Sequence, residues 1–253
     1  MNWIGFYTLI EREFYRFMRL FNQTVAPPMI STIMYILIFG YSLGSRISEI
    51  DGFRYIIYIV PGLVQMGVIT NSYANSSTSL YMARLERSVE NMLVAPLTSF
   101  QIVTAYMVGA TLRGMVVGTA VILGARIFLK LPFNHVWLIL VSLFLTSIFF
   151  GGLGIISAIW SESWEKMATF TNFVITPFVY LGGTFYSVQL LPPFWHHVSL
   201  FNPIFYCINL TRYGFLGVSD ASVPFSLTLL FLSATTVYTI CVVLFWKGYK
   251  LLK

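Results

Sequence analysis

Charge is what this sequence has least of. Asp, Glu, Lys and Arg make up 9% of its 253 residues, against about 25% in an ordinary soluble domain. So few charges cannot cover a water-facing surface. With 57% apolar residues and a mean hydropathy of +0.79, a soluble fold is excluded and a polytopic membrane protein remains. No long polar block interrupts the chain, so no separate soluble domain is expected, and residues 1–253 read as a single membrane domain. Cysteine is scarce too. Cys207 and Cys241 are too few for a disulfide framework and lack metal-ligand spacing, so both read as small packing residues. The N-terminus lacks a continuous apolar run followed by a small-residue cleavage site, and no cleavable signal peptide is expected.

Catalytic constellations are missing as well. There is no GxxxxGK[ST] loop to cradle nucleotide phosphates, no HExxH and no GxSxG, and no span holds paired carboxylates. His196-His197 with Asp220 come nearest to a metal cluster. Neighbouring residues on a helix point about 100° apart, so the two histidines are poor co-ligands and no metal site is expected. The net charge of +6 comes from basic residues scattered among apolar runs. They form no patch, which excludes nucleic acid as a partner and suggests cytoplasmic loops instead. A secondary transporter coupled to ions carries ionisable groups near the bilayer midplane; only Arg113 qualifies. An enzyme and simple proton coupling are both disfavoured, leaving a pathway former driven by something else.

What is present is a series of apolar runs, enough for roughly six spans of about 20 residues each. They cover Val25–Gly44, Tyr55–Ser77, Phe100–Gly124, Val136–Trp160, Met167–Tyr186 and Val223–Trp246. Ahead of them, within residues 1–24, Trp3–Phe21 reads as an amphipathic helix. Trp3, Phe6, Tyr7, Ile10, Phe14, Phe17, Met18 and Phe21 follow the i, i+3, i+4, i+7 rule, with Arg12, Arg16 and Arg19 opposite. Rings among acyl chains and cations toward anionic headgroups make an interfacial helix and make membrane lipid a partner; packing on a partner protein is the alternative. Pro27-Pro28 reads as the start of the first span. Asn71, Asn75, Ser76 and Ser77 form a polar tail on the second, suited to bonding across helices. Arg113 is expected to face protein or water, with no Asp or Glu inside a span to pair with it. Gly151, Gly152 and Gly154 permit close helix approach.

Two stretches stand apart. Residues 83–99 (ARLERSVENMLVAPLTS) carry Arg84, Arg87, Glu86 and Glu90 beside Leu85, Val89, Met92 and Leu93 at helical spacing, a short helix ended by Pro96. Such a helix lies on the membrane surface or docks in a partner's groove. Pro177–Gly217 is too oily for a free loop, yet Gly182-Gly183, Pro192-Pro193 and Pro203 break it too often for one spanning helix. It reads as a helix end followed by short helices that dip into the membrane against protein, at one mouth of a pathway. Its aromatics form either an interface belt or a stacking surface. With the N-terminus inside, the cytoplasmic side holds nine Lys and Arg residues and the outer side five, which favours both termini in the cytoplasm.

These two stretches resemble the ABC-2-type permeases, the membrane subunits of one class of ATP-driven exporter. Arg87, Glu90, Leu93, Ala95, Pro96 and Leu97 match the first cytoplasmic loop of that family. Leu181, Gly182, Gly183, Phe185 and Tyr186, then Leu191, Pro192, Pro193 and Trp195, then Asn202, Pro203, Tyr206, Arg212, Tyr213 and Gly214 match its last external loop. Pro61–Leu63 and Thr70–Asn75 extend the likeness over nearly the whole chain, which looks most similar to the YadH-like subgroup, itself similar to nodulation-factor and polysaccharide exporters. The resemblance implies an all-α integral membrane fold of the type V exporter kind, in a bacterial inner membrane: six transmembrane helices, an N-terminal interfacial helix, and re-entrant helices within residues 188–222, near Pro192–Leu200 and Pro203–Tyr213. It implies a homodimer paired with a separate ATPase subunit that binds ATP and Mg, with no cofactor in this chain. Residues 83–99 would be the coupling helix loop, with Arg84, Arg87, Glu90, Leu93 and Pro96 toward the ATPase. Gly182, Gly183, Phe185, Pro192, Trp195, Asn202, Pro203, Tyr206 and Arg212 would form the external gate. Substrate residues do not transfer, but the apolar spans favour an amphipathic, lipid-linked or glycan-type substrate. The alternative is a channel or scaffold that needs no ATP, in which residues 83–99 are an ordinary solvated face.

Overall fold

The computed structural model describes residues 2–42 and 49–250. Arg46, Lys253 and the expected end of the first span at Gly44 lie outside the described residues. Within them the chain is helical apart from one small hairpin. Its strands, Glu49–Ile50 (β1) and Phe53–Arg54 (β2), pair antiparallel across Asp51-Gly52. Both turn residues have positive φ, 52° and 79°, the backbone an Asp-Gly hairpin turn requires.

The helices are α1 (Trp3–Arg19), α2 (Phe21–Ser42), α3 (Tyr55–Leu85), α4 (Ser88–Val94), α5 (Ser99–Phe128), α6 (Val136–Trp160), α7 (Trp164–Phe170), α8 (Thr176–Leu181), α9 (Pro193–Leu200), α10 (Pro203–Leu216) and α11 (Val223–Trp246). Among the described residues, four are long and apolar enough to cross a membrane: α3, α5, α6 and α11. The last two have the limits expected from their apolar runs.

Besides the third span, which extends to Phe128 as α5, three boundaries differ from the expectation, each for a physical reason. The polar tail does not end the second span at Ser77; α3 continues to Leu85, 31 residues in all. Its hydroxyls are satisfied within the bundle: Thr78 Oγ1 donates to Ala74 O (2.6 Å) and Ser76 Oγ to Gly151 O of α6 (2.5 Å). Pro27-Pro28 lie inside α2 and do not start it. The helix begins at Phe21, so residues 21–24 belong to α2 and not to the interfacial helix. The expected fifth span is interrupted: α7 passes through a wide π turn, Thr171–Ile175, into α8, which stops at Leu181. Gly183 follows with φ of 83°, a backbone that glycine adopts without steric cost.

The core is centred on α3, whose largest contacts are with α6 and α5, with α10 and α2 completing its surround. Small residues let these axes approach. A Cβ at Gly154 of α6 would meet Ser76 Oγ and lie 2.5 Å from Tyr73 O, and one at Gly114 of α5 would meet Ser72 and Ser147 Oγ. Gly151 faces Ala110 in the same way. The expectation that Gly151, Gly152 and Gly154 allow close approach therefore holds, with α3, α5 and α11 as the partners. Without water to compete, van der Waals contact and interhelical hydrogen bonds hold such helices together.

Gly154→Ala is expected to lower the thermal midpoint in detergent, by the equivalent of about 1–3 kcal/mol for an overpacked core. Gly124→Ala, where the nearest atom to a new Cβ is the Met29 Cε tip at 3.4 Å, should leave it unchanged or slightly raised. Equal midpoints for both variants would show that the α3–α6 approach is not what limits stability.

Candidate functional site

The two candidate stretches sit at opposite ends of α3. At its first turn, Tyr55 OH donates to Phe185 O (3.0 Å). At its last turn, Arg84 donates to the carbonyls of Ala158 and, at 3.3 Å, Ser161 at the end of α6. A 31-residue helix at about 1.5 Å per residue separates the two regions, so they do not form one site. They lie at the two ends of one helix.

At the Leu85 end the chain turns sharply. Arg87 takes a left-handed conformation, φ 55°, and α4 follows for seven residues. It ends at Val94, ahead of Ala95-Pro96, because a proline disfavours helical backbone in the residue before it. Val89 and Met92 are buried, and Met92 Sδ accepts from Tyr106 OH at 3.7 Å. Arg87, Glu90, Leu93, Val94 and Pro96 are exposed. The helix thus rests on the bundle by one face and offers the other, charged and apolar at once, outward. Arg84 differs from its neighbours in the sequence, since its guanidinium caps carbonyls at the end of α6, where the helix dipole favours a cation. Leu97 packs beside Gly5, and Gln101 Nε2 donates to Asn2 O (3.2 Å), so the segment is also seated on α1.

At the other end a buried ion pair organises the broken stretch. Arg212, 1% exposed, reaches from α10 to Asp220 Oδ2 at 3.3 Å and to Gly183 O at 2.6 Å, with its guanidinium 4.2 Å from the Tyr58 ring centroid. Asp220 accepts from Ser187 Oγ (2.9 Å) and Val188 N (3.1 Å). Asn209 Oδ1 accepts from the Asp220 and Ala221 amides, while Asn209 Nδ2 donates to Ser226 of α11. One charged pair therefore ties α3, the 182–188 turn, α10 and α11 together. Asp220 is engaged here, away from His196-His197. Gly182 and Gly183 lie under this cap. Thr184 sits where a Cβ on Gly62 would fall, 2.5 Å from its carbonyl oxygen, so the Pro61-Gly62 and Gly182-Gly183 motifs meet in space. Phe185 joins Tyr35, Phe39 and Tyr180 in one aromatic cluster. Asn202 caps α10 through Ile204 N and donates to Phe178 O (2.6 Å), and Tyr206 OH donates to Leu200 O (2.8 Å). Pro192 and Pro203 precede and open α9 and α10. The aromatics divide: Phe205, Tyr206 and Phe215 are buried, while Phe194, Trp195 and Phe201 face outward.

Sequence reasoning missed a second buried charge. Glu13 on α1 is 1% exposed and accepts from Arg16 (2.8 Å), Arg12 (3.2 Å) and Ser79 (2.7 and 2.9 Å). Arg12 continues to Tyr106 OH of α5 and Arg16 to Asn75 of α3. The arginines differ from the expectation that all three point to headgroups: two of the three turn inward onto the spans, because α1 docks by its Leu9, Glu13 and Phe17 face. Trp3, Tyr7, Phe14 and Met18 of the aromatic stripe stay exposed. Arg113, whose partner was not legible, donates to Asn71 Oδ1 at 3.1 Å. A residue three or four from a buried apolar pair, as Glu13 is from Leu9 and Phe17, was the available signal. Nothing in the sequence marked Asp220 as the partner of Arg212.

The ABC-2 type transporter family matches residues 5–216. The inner membrane transport permease YadH of Escherichia coli (strain K12) is 39% identical over 250 residues, covering 98% of this chain and 97% of that protein. Nodulation protein J of Rhizobium leguminosarum bv. viciae is 24% identical over 88% of this chain and 85% of its own length, and that of Rhizobium meliloti (strain 1021) 24% over 85% and 82%. The chain belongs to the ABC-2 type transporter family. It is a transport permease of the inner membrane, built on membrane-spanning helices.

Removing one member of a buried pair strands the other. Arg212→Met is expected to destabilise the protein by about 3–5 kcal/mol, read as a loss of thermal midpoint in detergent. The double variant Arg212→Met, Asp220→Leu should recover part of that loss. If the single variant melts with the wild type, the pair does not hold the cap.

Proposed function

We propose that this chain is the membrane subunit of an ATP-driven exporter, working as a homodimer with a separate ATPase chain that binds ATP and Mg. The observation that carries the reading is α4. It is a short helix with Glu90, Arg87, Leu93 and Val94 uncovered, set at the end of the most deeply packed helix in the bundle. Charged and apolar atoms exposed together on a rigid short helix suit a protein groove better than water alone. In this reading residues 83–99 sit in the cytoplasm with both termini, and α2 and the interrupted α7–α8 segment complete six spans. Residues 188–222, with α9 and α10, re-enter the membrane from the outer side.

The geometry supports a lever. ATP-driven closure of the partner displaces α4. The displacement passes into α3, which is bonded along its length: Ser76 to α6, Gln65 Nε2 to Ser142 of α6 (2.9 Å) and Thr211 of α10 (2.6 Å), Tyr55 and Tyr58 to the cap. Interhelical bonds of this kind make the elements move as packed units. The exposed rings of α7–α8, Phe173 and Phe178, and the exposed Ile30, Met34 and Ile38 of α2 leave apolar faces for a second copy and for lipid. A route between two such copies has mostly apolar walls, which suits an amphipathic, lipid-linked or glycan-type substrate.

Glu90→Arg, co-expressed with the cognate ATPase, is expected to lower substrate-stimulated ATP hydrolysis by about tenfold, the effect of ~1.4 kcal/mol lost at the contact, with membrane insertion unaltered. Wild-type hydrolysis in that variant, together with failure of a crosslinker placed at residue 91 to capture any ATPase, would replace the exporter reading with that of an ATP-independent channel or scaffold.

A further inference from the structure

Arg212 and Arg113 are both cations within the bundle, and their surroundings differ. Arg212 has a carboxylate. Arg113 has only the amide oxygen of Asn71, and the charged group that bears on it is another cation, Arg16. Glu13, the one carboxylate bonded in this region among the described residues, already accepts from Arg12, Arg16 and Ser79. Gly109, one turn before Arg113 on α5, lies against both Glu13 and Asn75 Nδ2. Asn71 and Asn75 are likewise one turn apart on α3. The groups are therefore contiguous across α1, α3 and α5: two guanidiniums, Arg12 and Arg16, share the single Glu13 carboxylate, and Arg113 bonds Asn71 instead.

The hydrogen bonding is as lopsided as the charge. Arg16 Nε, Asn75 Nδ2 and Arg113 Nε are all buried without a partner, and all three are donors. A buried donor left unpaired costs free energy, and so does an uncompensated cation at membrane depth. A ligand that brings negative charge and several acceptor oxygens removes both costs. Guanidinium groups match the oxygens of a phosphate in charge and shape. Two of its members border open space: Arg16 lines a groove of about 690 Å³ between α1 and the last turns of α3, and Asn71 lines a separate cavity of about 270 Å³ between α2 and α3.

We infer that Arg113, Arg16, Asn71 and Asn75 form an intramembrane site for a phosphate-type anion, presented as the headgroup of a membrane amphiphile or as free phosphate. The site is independent of the export reading, and its test needs no ATPase.

The full chain, purified in an uncharged detergent, is titrated with phosphatidylglycerol, phosphatidylcholine or inorganic phosphate while the thermal midpoint is followed. Bound lipid is counted by native mass spectrometry. Phosphatidylglycerol is expected to raise the midpoint and remain bound where phosphatidylcholine does not. A rise with inorganic phosphate as large as that with phosphatidylglycerol also supports the site and assigns it to the free anion. Arg113→Gln should weaken phosphatidylglycerol binding at least about tenfold, as loss of a charge-assisted contact implies. Without ligand it should be no less stable than the wild type, because it removes an unpaired charge; a merely structural arginine would behave in the opposite way. Arg126→Gln, on the exposed last turn of the same helix, should keep the full response. Equal action of the two lipids with no effect of phosphate would overturn the inference without recourse to any variant, as would an Arg113→Gln protein that responds like the wild type.

Discussion

The close approach of α3 to α6 is the constraint on which the rest of the structure depends. In hydrocarbon, helices gain little from burying apolar surface against one another. They gain from contact and from hydrogen bonds, and both need backbones near each other. Gly154 removes the side chain that would hold the axes apart, and Ser76 bonds across the contact to the Gly151 carbonyl. Once α3 is seated, Gly114 of α5 fits against Ser72 and Ser147, and α10 is held by Gln65 through Ser142 and Thr211. The long helix thus becomes a spine with the short helix α4 at one end and a capped turn at the other.

Charged groups inside the bundle are mostly paired. Membrane interiors provide no water to rescue an unpaired group, so a partner must come from the protein. Asp220 meets Arg212, Glu13 meets two arginines and a serine, and Tyr73 meets Ser157 at 2.7 Å. The two buried ion pairs do different jobs. The Arg212–Asp220 pair joins four chain segments that would otherwise share no regular structure, whereas Glu13 docks α1 onto the spans. Arg113 meets the neutral amide of Asn71 and no carboxylate among the described residues, and that difference separates a residue facing a ligand from one that holds the fold.

This arrangement also says how motion at one end reaches the other under the exporter reading proposed above. The bonds from α3 to its neighbours are spread along its length, so the helix cannot slide alone. The π turn between α7 and α8 is the natural place for compliance, because Pro177 removes a backbone donor just beyond it. The face of that segment is largely open.

Much of the fold was legible because membrane helices announce themselves locally. Apolar length marked α6 and α11 to the residue, Pro96 marked the end of α4, and the Gly and Pro pairs marked the broken stretch, since each of these acts on its own backbone. The family was legible for the same reason: its motifs are turns and helix ends, written in Gly, Pro and Asn. Partnerships were not legible. Periodicity showed that α1 has two faces, but which face docks depended on Ser79, Asn75 and Tyr106, residues on other helices and distant in the chain. The same holds for Asp220, which the sequence set beside His196-His197 and the structure pairs with Arg212 of α10. The sequence by itself determined where helices form, because that is a matter of each segment's own hydrogen bonds and apolar length. Only the tertiary structure decided which charges are paired and which is left for a ligand, because pairing is a property of distances between helices.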